Sequence, residues 1–459
     1  MKRQKTIATF FILLFSMLLC KANNPAVISN VKAMIDKKNN KVIIFYDLSD
    51  TEDNQIEVKL KITDDKGETL IINEKICQGD FGFPVTTGHN KSIVWIYEKN
   101  NFDPKKCKIN LIADDRYKIN PDQIIKEVDT LRMIRDLNFI NGERNSSSEE
   151  AQKHLREVGE YLKNAFRDNR IKSYYQDVKI SNSELNKIWK EKTGLGSIIE
   201  NGNKKYNIKN VIGSIDGYSN QKETIILSAH YDSYPGSLGM DDNGSGVIGL
   251  LEAMRVLSKF NFAYNVKFIG FDKEEDGLLG SLSYVSKLAK ESEKIRGVIN
   301  FDMIGICSNQ PNSQFIPEGF DQLYPEVCAS IKENKNRGDF IINASNESSK
   351  QLSDLFVNTA NKYVPDLKVV SLTADSNGEY ISSMIESDHA AFWYTNNPAL
   401  HIGEGGETRN PNLHTFKDSK EYLKFNYKFM SDIVKTTIAM FIELGEAEHY
   451  TIAEVHLTK

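Results

Sequence analysis

The sequence has no block of basic residues, no internal repeat and, beyond its first 20 residues, no hydrophobic run long enough to span a membrane. Lys and Arg number 58 against 63 Asp and Glu, which gives a formal net charge of -5. This balance argues against a nucleic-acid partner, and the missing hydrophobic run predicts no membrane span in the mature chain. Cysteine is scarce, with five in 459 residues.

What is present is the composition of a globular protein, 40% hydrophobic and 26% charged. A chain of 459 residues is too long for one ordinary core, so we expect two domains. Net charge carries no information about the fold. The fold therefore has to be predicted from the order of segments and motifs.

The first residues have the pattern of a signal peptide. Basic residues precede an uncharged run over residues 6–20, which is shorter than the roughly 20 residues of a membrane span. A small-residue cleavage site ends at Ala22, so residues 1–22 are predicted to be removed and the protein to be exported to the periplasm or the extracellular space. Two alternatives stay open, lipid attachment at Cys20 and an uncleaved amino-terminal anchor.

Four cysteines lie beyond the predicted cleavage point. An exported protein can hold disulfides, and four cysteines allow three pairings. Domain boundaries favour Cys77 with Cys107 and Cys307 with Cys328, and four buried free thiols are the alternative.

Residues 23–115 are predicted to form an all-β sandwich domain. Short apolar runs alternate with turn residues at the spacing of a small sandwich. The stretches YDLS, GDFG, GHNKSIVW and INLIADD resemble an immunoglobulin-like module common in secreted Bacteroidetes proteins. We see no catalytic constellation here and expect a spacer or docking role. The predicted strands are Lys41–Asp47, Gln55–Ile62, Thr69–Asn73, Ser92–Tyr97 and Cys107–Ala113.

Helix and strand patterns alternate along the rest of the chain. Residues 116–145 are assigned to a linker and first helix, 146–447 to the main domain and 448–459 to a C-terminal tail. This alternation predicts an α/β fold with a mostly parallel central sheet flanked by helices. The predicted segments include helices over 146–166, 280–295 and 419–444, and a polar loop over 181–205.

One stretch of the main domain carries metal-type side chains to the end of a strand. The apolar run Thr224–Ala229 predicts a buried strand and leads into His230 and Asp232. A glycine-rich loop then supplies Asp241 and Asp242 just before an apolar pattern at helical spacing. In open α/β sheets, ligands bind outside the carboxyl ends of the strands. The stretch therefore places candidate ligands where a site is expected.

Three further segments carry the same residue types. Glu274 and Glu275 follow one apolar strand, Asp302 follows another, and His414 lies in a turn-rich loop before the last helix. Imidazole and carboxylate groups are the ligands of zinc and its neighbours. Together with the first stretch, these groups exceed the needs of one tetrahedral ion and suit two ions about 3.5–4 Å apart that share a carboxylate.

Six short motifs mark these segments and occur in the order AHYDS, GMDDNGSG, DKEEDGLLGS, NFDMIG, SDHAAF and NLHTFKD. Their order and spacing resemble the co-catalytic dizinc aminopeptidase family of metallopeptidases, which also contains glutaminyl cyclases and glutamate carboxypeptidases. The resemblance covers the chain from near residue 130 to near 445. It implies that residues 146–447 form a zinc peptidase domain with two Zn²⁺ per chain and peptide substrates.

The resemblance divides the ligands between the two ions. One imidazole and one carboxylate would serve each ion, and a further aspartate, Asp242, would bridge them. Asp302 would serve the ion of His230, and Glu275 that of His414. A cis peptide bond after Asp242 is also implied. The predicted ligands are therefore His230, Asp242, Glu275, Asp302 and His414.

The implied activity is that of an exported zinc-dependent exopeptidase, in the first place an aminopeptidase, that hydrolyses peptide bonds with a metal-bridged hydroxide. Glu274 would be the general base and would pass the proton to the leaving amine. Asp232 would orient the His230 ring through its other nitrogen. Three alternatives stay open: a single-zinc glutaminyl cyclase, a carboxypeptidase or dipeptidase variant, and a non-catalytic binding protein on the same fold.

A few positions fit the resemblance less directly. Leu413 stands where many members of the family carry a tyrosine that can help the oxyanion, so either another group serves here or the substrate class differs. Asp388 and His389 are interpreted as pocket-supporting or structural, and His401 as a core or loop residue. The preference for a substrate side chain would come from variable loops such as Ser308–Asn336.

Overall fold

The computed structural model describes residues 24–65, 69–70, 72, 75–97, 103–117, 119–193, 205–218, 223–291, 293–378 and 381–457. The predicted signal peptide, residues 1–22, and the alternative lipid-attachment site Cys20 lie outside this range. Within the described residues, no helix is both long enough and apolar enough to cross a membrane.

Two antiparallel sheets form the amino-terminal unit. The strands are β1 Val27–Asp36, β2 Lys41–Ser49, β3 Gln55–Thr63, β4 Thr69–Leu70, β5 Cys77–Gly79, β6 Gly82–Thr86, β7 Gly88–Ile96 and β8 Lys108–Asp114. One sheet has the order β1-β2-β7-β5, and the other contains β8-β3-β4 with β6 paired to β3. Side chains alternate inward along the strands, as at Val42, Ile44 and Tyr46, and meet in one core that includes the fully buried Trp95. The predicted all-β sandwich is confirmed, although β1, β5 and β6 were not predicted.

The second unit alternates helices and strands around one large sheet. In chain order they are α1 Pro121–Ile124, α2 Thr130–Ile140, α3 Glu149–Asp168, β9 Lys172–Ser181, α4 Asn182–Thr193, β10 Lys205–Ile215, β11 Glu223–His230, α5 Gly244–Leu257, β12 Asn265–Phe271, α6 Leu279–Glu291, β13 Lys294–Phe301, α7 Phe320–Leu323, α8 Pro325–Glu333, β14 Ile341–Asn346, α9 Lys350–Tyr363, β15 Val369–Ala374, α10 His389–Trp393, β16 Ala399–Gly403 and α11 Tyr427–Leu444. A further strand, β17 Tyr450–Glu454, follows α11 and lies outside the large sheet.

The large sheet has the strand order β15-β14-β16-β13-β11-β12-β10-β9. Its four central strands β16, β13, β11 and β12 run parallel to one another. Antiparallel pairing occurs further out, between β12 and β10, β10 and β9, and β16 and β14. Helices pack on both faces, and α5 is almost entirely buried because it lies between the sheet and α11. The predicted α/β fold with a mostly parallel centre is confirmed.

The polar stretch predicted as a loop over residues 181–205 begins with a helix, α4. The signal for this helix is a capping box. The Ser181 hydroxyl accepts a hydrogen bond from Glu184 N (3.3 Å), and the Glu184 carboxylate accepts one from Ser181 N (2.8 Å). These reciprocal bonds satisfy backbone donors that otherwise have no partner in the first turn of a helix.

Residues 116–145, predicted as a linker and first helix, and residues 448–459, predicted as a tail, both contribute to the packed structure. Helix α2 buries Met133, Leu137 and Ile140 in the core of the second unit. Strand β17 pairs antiparallel with β8 of the amino-terminal unit, so the end of the chain completes that unit's second sheet. The physical reason is that the outer side of β8 presents backbone donors and acceptors that need a partner strand.

Two predicted helix boundaries are wrong by several residues. The last helix begins at Tyr427 rather than near residue 419, because the Asn426 side chain accepts a hydrogen bond from Phe429 N (3.1 Å) and caps the first turn there. The helix predicted over residues 280–295 ends at Glu291, and Lys294 already begins β13.

Neither of the favoured disulfides forms, because all four cysteines of the described residues are free thiols. Cys77 is buried in the core between the amino-terminal sheets, and burial raises the pKa of its thiol to about 12. Cys107 instead donates a hydrogen bond to Asp103 O (3.3 Å). Cys328 is buried in α8, whereas Cys307 lines a cavity.

Candidate metal centre

Parallel strands bring the first side chains of the centre to one edge of the sheet. Strand β11 ends at His230, which pairs with Phe271, the last residue of β12. Strand β13 ends at Phe301, so Asp302 follows directly. Because the carboxyl ends of parallel neighbours meet at one edge, His230, Asp302 and the Glu274 that follows β12 converge there.

The glycine-rich loop before α5 brings Asp242 to the same edge. Asn243 caps α5 by accepting a hydrogen bond from Gly246 N (3.0 Å). The same side chain accepts a bond from Met303 N (3.2 Å) and donates one to Phe301 O (2.8 Å), which ties the loop to the end of β13. The peptide bond between Asp242 and Asn243 is cis, as the resemblance implied.

Asp242 lies between two imidazoles. Its Oδ1 is 3.3 Å from His230 Nε2, and its Oδ2 is 3.2 Å from His414 Nε2. A second carboxylate faces each ring: Asp302 Oδ1 lies 3.5 Å from His230 Nε2, and Glu275 Oε2 lies 3.3 Å from His414 Nε2. One aspartate is thus shared by two imidazole–carboxylate groups, the arrangement that the resemblance implied for its five ligands.

The donor atoms fit metal ions. Both ring nitrogens of the buried His230 lack a well-aligned hydrogen-bond partner, as does Glu275 Oε1. Buried polar atoms normally have partners, and imidazole with carboxylate is a zinc ligand set. Within the described residues, potential ligand atoms lie within 4.8 Å of one another in the groups His230–Asp242–Asp302, Asp242–Glu275–His414 and His230–Glu274–Glu275.

Burial and charge shift the pKa values of these groups. Burial raises the pKa of Glu275 to about 8 and that of Glu274 well above its ordinary value. Burial alone would lower the pKa of His230, but the charge of Glu274 and the neighbouring carboxylates raises it well above the usual range. Hydrogen bonds to Asp242 and Glu275 raise the pKa of His414 to about 10. In the absence of metal, the surrounding carboxylates thus favour the protonated imidazoles, and bound metal ions would supply the positive charge instead.

Asp232 contacts three neighbours in the centre. Its Oδ1 lies 3.3 Å from His230 Nδ1, the ring nitrogen that faces away from Asp242. The same carboxylate accepts hydrogen bonds from Glu274 N (3.1 Å) and Glu275 N (3.2 Å). The first contact agrees with the predicted orienting role, and the other two show that Asp232 also holds the backbone of both glutamates.

A second supporting carboxylate was missed by sequence reasoning. Asp418 accepts hydrogen bonds from Asp241 N (2.9 Å) and Asp242 N (3.0 Å). It therefore holds the backbone of the shared aspartate, Asp242, in place. The only sequence signal was its place in the NLHTFKD motif, because a contact to a backbone N–H group leaves no pattern in residue types.

Arg144 was also missed, since it lies in the predicted linker. Its side chain is fully buried, and burial lowers its pKa to about 10 although nearby carboxylates, Asp232 first, act to raise it. Its guanidinium ties the end of α2 to the loop that leads to Asp242. The carbonyl oxygens that accept its hydrogen bonds belong to Ile140, Gly142, Tyr231, Leu238 and Gly239.

The three remaining polar candidates do not belong to the donor groups found among the described residues. Asp388 is buried without a well-aligned partner for either oxygen, and burial raises its pKa to about 7. His389 Nε2 lies 2.9 Å from Met384 O, and its ring centroid is 5.0 Å from that of His401. A supporting role for Asp388 and His389 stays a prediction.

Two apolar side chains, the partly exposed Leu413 and the buried Met303, and an open cavity lie along the loops that carry the centre. A Cβ atom placed on Gly406 would be 3.9 Å from both Leu413 Cδ2 and Met303 Sδ, so these two side chains approach the same point. The cavity has a volume of about 1250 Å³ and is lined by residues within 306–316, 407–412 and 422–427 together with Lys332 and Asn336. Much of its wall comes from the loop region predicted to set substrate preference.

Comparisons with known proteins agree with this geometry. Residues 210–440 match peptidase family M28. A probable leucine aminopeptidase of Trichophyton verrucosum is 28% identical over 324 residues, which cover 66% of this chain and 75% of that protein. Leucine aminopeptidase 2 of Trichophyton rubrum is 41% identical over 97 residues, which cover 21% of this chain and 19% of that protein.

Solved structures show the same fold at low identity. The LapA structure from Legionella pneumophila has a TM-score of 0.51 at 17% identity and covers 85% of this chain and 99% of its own. The aminopeptidase of Aneurinibacillus sp. strain AM-1 has a TM-score of 0.50 at 15% identity and covers 74% of this chain and 98% of its own. At such identities the likeness concerns the fold alone.

Proposed function

The chain belongs to peptidase family M28, and from that premise we propose that its metal centre holds two zinc ions and removes the amino-terminal residue from peptides. The protein is a zinc metallopeptidase of the exopeptidase class, with aminopeptidases among its relatives. We propose the number of ions, the residues that bind them and the substrate preference.

The observation that carries the proposal is the position of Asp242, whose two oxygens each face a different imidazole at 3.3 and 3.2 Å. A carboxylate placed in this way can bridge two ions. Each imidazole also has its own second carboxylate, Asp302 for His230 and Glu275 for His414. One ion would then be held by His230, Asp242 and Asp302, and the other by Asp242, Glu275 and His414.

When bound, the zinc ions would supply Lewis acidity and lower the pKa of water at the centre. The protein's own contribution to proton transfer is Glu274, whose Oε2 lies 4.0 Å from His230 Nε2 and whose backbone N is held by Asp232. Burial raises its pKa, which suits a group that must both take and return a proton near neutral pH. Glu274 accepts a proton from the attacking water and delivers it to the amine that leaves when the peptide bond breaks.

Leu413, which is partly exposed and meets the buried Met303 beside Gly406, supports a preference for substrates with an apolar amino-terminal side chain. These residues directly neighbour the proposed ligands His414 and Asp302 in sequence, and both approach Gly406. Burying an apolar side chain there would remove apolar area from water, which contributes roughly 25 cal/mol per Å². The relatives named leucine aminopeptidases point to the same class of substrate.

The test combines metal analysis with a substrate panel. Mass spectrometry measures zinc in the protein purified without chelator, and amino-acyl anilides with apolar, acidic and basic side chains report hydrolysis. The Glu274→Gln variant should keep its zinc and lose activity, while Asp272→Asn, a buried aspartate outside the donor groups, should keep both. One zinc with cyclisation of amino-terminal glutamine would favour the cyclase, and absence of both metal and turnover after zinc addition would refute the proposal.

We further propose that the protein is exported, on the basis of the basic and apolar pattern over residues 2–20. Amino-terminal sequencing of the protein from the native host tests this. A mature chain that begins at Asn23 supports simple cleavage, a lipid-modified Cys20 supports an anchored form, and an intact amino terminus contradicts processing.

A further inference from the structure

The two imidazoles of the centre are held in different ways. His230 ends a buried strand, its side chain is 1% exposed, and its Nδ1 faces Asp232. His414 lies in a loop with a positive φ of 58°, and its side chain is 43% exposed. A ligand on an exposed loop retains more rotamer freedom, which it must lose when it binds a metal ion.

An aromatic ring limits that freedom at His414. The ring of Tyr234 stacks on the His414 imidazole with centroids 4.2 Å apart and planes 8° from parallel. Although 40% of Tyr234 is exposed, its backbone is fixed, because its carbonyl oxygen accepts hydrogen bonds from Ser237 N (2.9 Å) and Asn145 Nδ2 (3.3 Å). The preceding residue, Ser233, is fully buried. The tyrosine ring is therefore presented from an ordered turn.

We propose that Tyr234 is a positioning residue, which holds the His414 imidazole ready for the second metal ion and stabilises it once metal-bound. The proposal rests on the proposed two-zinc function. An imidazole bound to a dication carries added positive charge, and the electron-rich face of an aromatic ring attracts such a group. The stack also leaves Nε2 directed at Asp242 and Glu275, at 3.2 and 3.3 Å.

The aromatic ring of Tyr234, and not its phenol hydroxyl, positions the His414 imidazole. Tyr234→Phe should therefore keep the affinity for both ions, whereas Tyr234→Ala should bind the ion at His414 about tenfold more weakly, the loss typical of removing a group that orients a metal ligand. Tyr234→Leu, which keeps apolar bulk without an aromatic face, should show the same weaker binding as the alanine variant. It replaces the alanine variant in the test if the latter folds poorly. Affinity for the ion at His230 should not change.

The experiment titrates the metal-free proteins with Co²⁺ and follows its visible absorption, with zinc competition against a chromophoric chelator to obtain both dissociation constants. Phe45→Ala is the control, because Phe45 is equally exposed at 40% but lies on β2 of the amino-terminal unit. Thermal unfolding of the metal-free variants checks that the fold is unchanged.

Weakening of only one of the two binding events in the alanine and leucine variants, with recovery in the phenylalanine variant, supports the proposal. Unchanged binding in all variants, equal weakening of both events, or failure of the phenylalanine variant would overturn it. If the wild-type protein itself binds only one ion, the two-zinc function fails instead, so the two failures can be told apart.

Discussion

Replacing Asp232 by asparagine should damage the centre without unfolding the protein. The carboxylate accepts hydrogen bonds from Glu274 N (3.1 Å) and Glu275 N (3.2 Å), and Oδ1 lies 3.3 Å from His230 Nδ1. Asparagine has the same shape, but one of its two terminal atoms is an NH₂ group that can only donate. At least one of the two buried backbone N–H groups would then face another donor.

The expected size follows from these contacts. Leaving one buried donor without a partner costs about 1–3 kcal/mol, or about 5- to 150-fold in an equilibrium constant. Loss of the carboxylate beside His230 Nδ1 should weaken zinc binding by about 10- to 100-fold. Because Asp232 also holds the backbone of Glu274, kcat/KM at saturating zinc should fall as well, although the metal sites are full.

The assay measures kcat/KM on a leucyl anilide at limiting and saturating zinc, together with zinc affinity and thermal unfolding. Asp272→Asn is the matched control, since Asp272 is buried near the same edge and accepts a hydrogen bond from Lys209 N (2.8 Å). Burial raises the pKa of Asp272 to about 7, so a neutral amide resembles its protonated form. Wild-type zinc affinity and kcat/KM in Asp232→Asn would refute the reasoning, as would equal losses in both variants.

Three further predictions concern proton release, the loop and the carboxyl terminus. In the metal-free protein the pKa values of His414 and Glu275 are raised to about 10 and about 8, so zinc must displace protons and its affinity should rise between about pH 6 and 8; competition titrations at several pH values test this, and an affinity independent of pH would contradict it. Gly246→Ala should cost about 1–3 kcal/mol of stability and weaken zinc binding, because a Cβ there would lie 2.2 Å from the Asn243 Oδ1 atom that caps α5; an unchanged denaturation midpoint would show that the loop adapts. Removal of β17 should expose the outer side of β8 and make the amino-terminal unit more sensitive to protease than the second unit. Equal digestion of the truncated and the full-length protein would count against a structural role for this strand.

Much of the centre was predictable because its residues stand at points that the sequence marks. His230, Glu275 and Asp302 each follow an apolar run, and parallel strands must bring their carboxyl ends to one edge. Asp242 was marked by the glycine-rich loop before a helix, and His414 by its motif. The predicted grouping of these five side chains agrees with the distances in the structure, while their binding of metal stays a prediction.

The supporting contacts were not predictable because they join backbone groups or rings across long stretches of chain. Asp418 accepts hydrogen bonds from the N–H groups of Asp241 and Asp242, and the Arg144 guanidinium donates to backbone carbonyl oxygens. Neither kind of partner changes the residue pattern. The stack of Tyr234 on its histidine likewise depends on how two loops meet.

The sequence by itself determined the α/β class of the second unit, the β-sheet character of the first and the residue types of the centre, because periodicity and strand ends are local properties of the chain. Only the tertiary structure decided that β17 closes the sheet of the amino-terminal unit, that α2 belongs to the core and that Asp242 lies between two imidazoles. Those features depend on contacts between segments far apart in the chain, which hydrophobic burial and the pairing of backbone groups settle together when the chain folds.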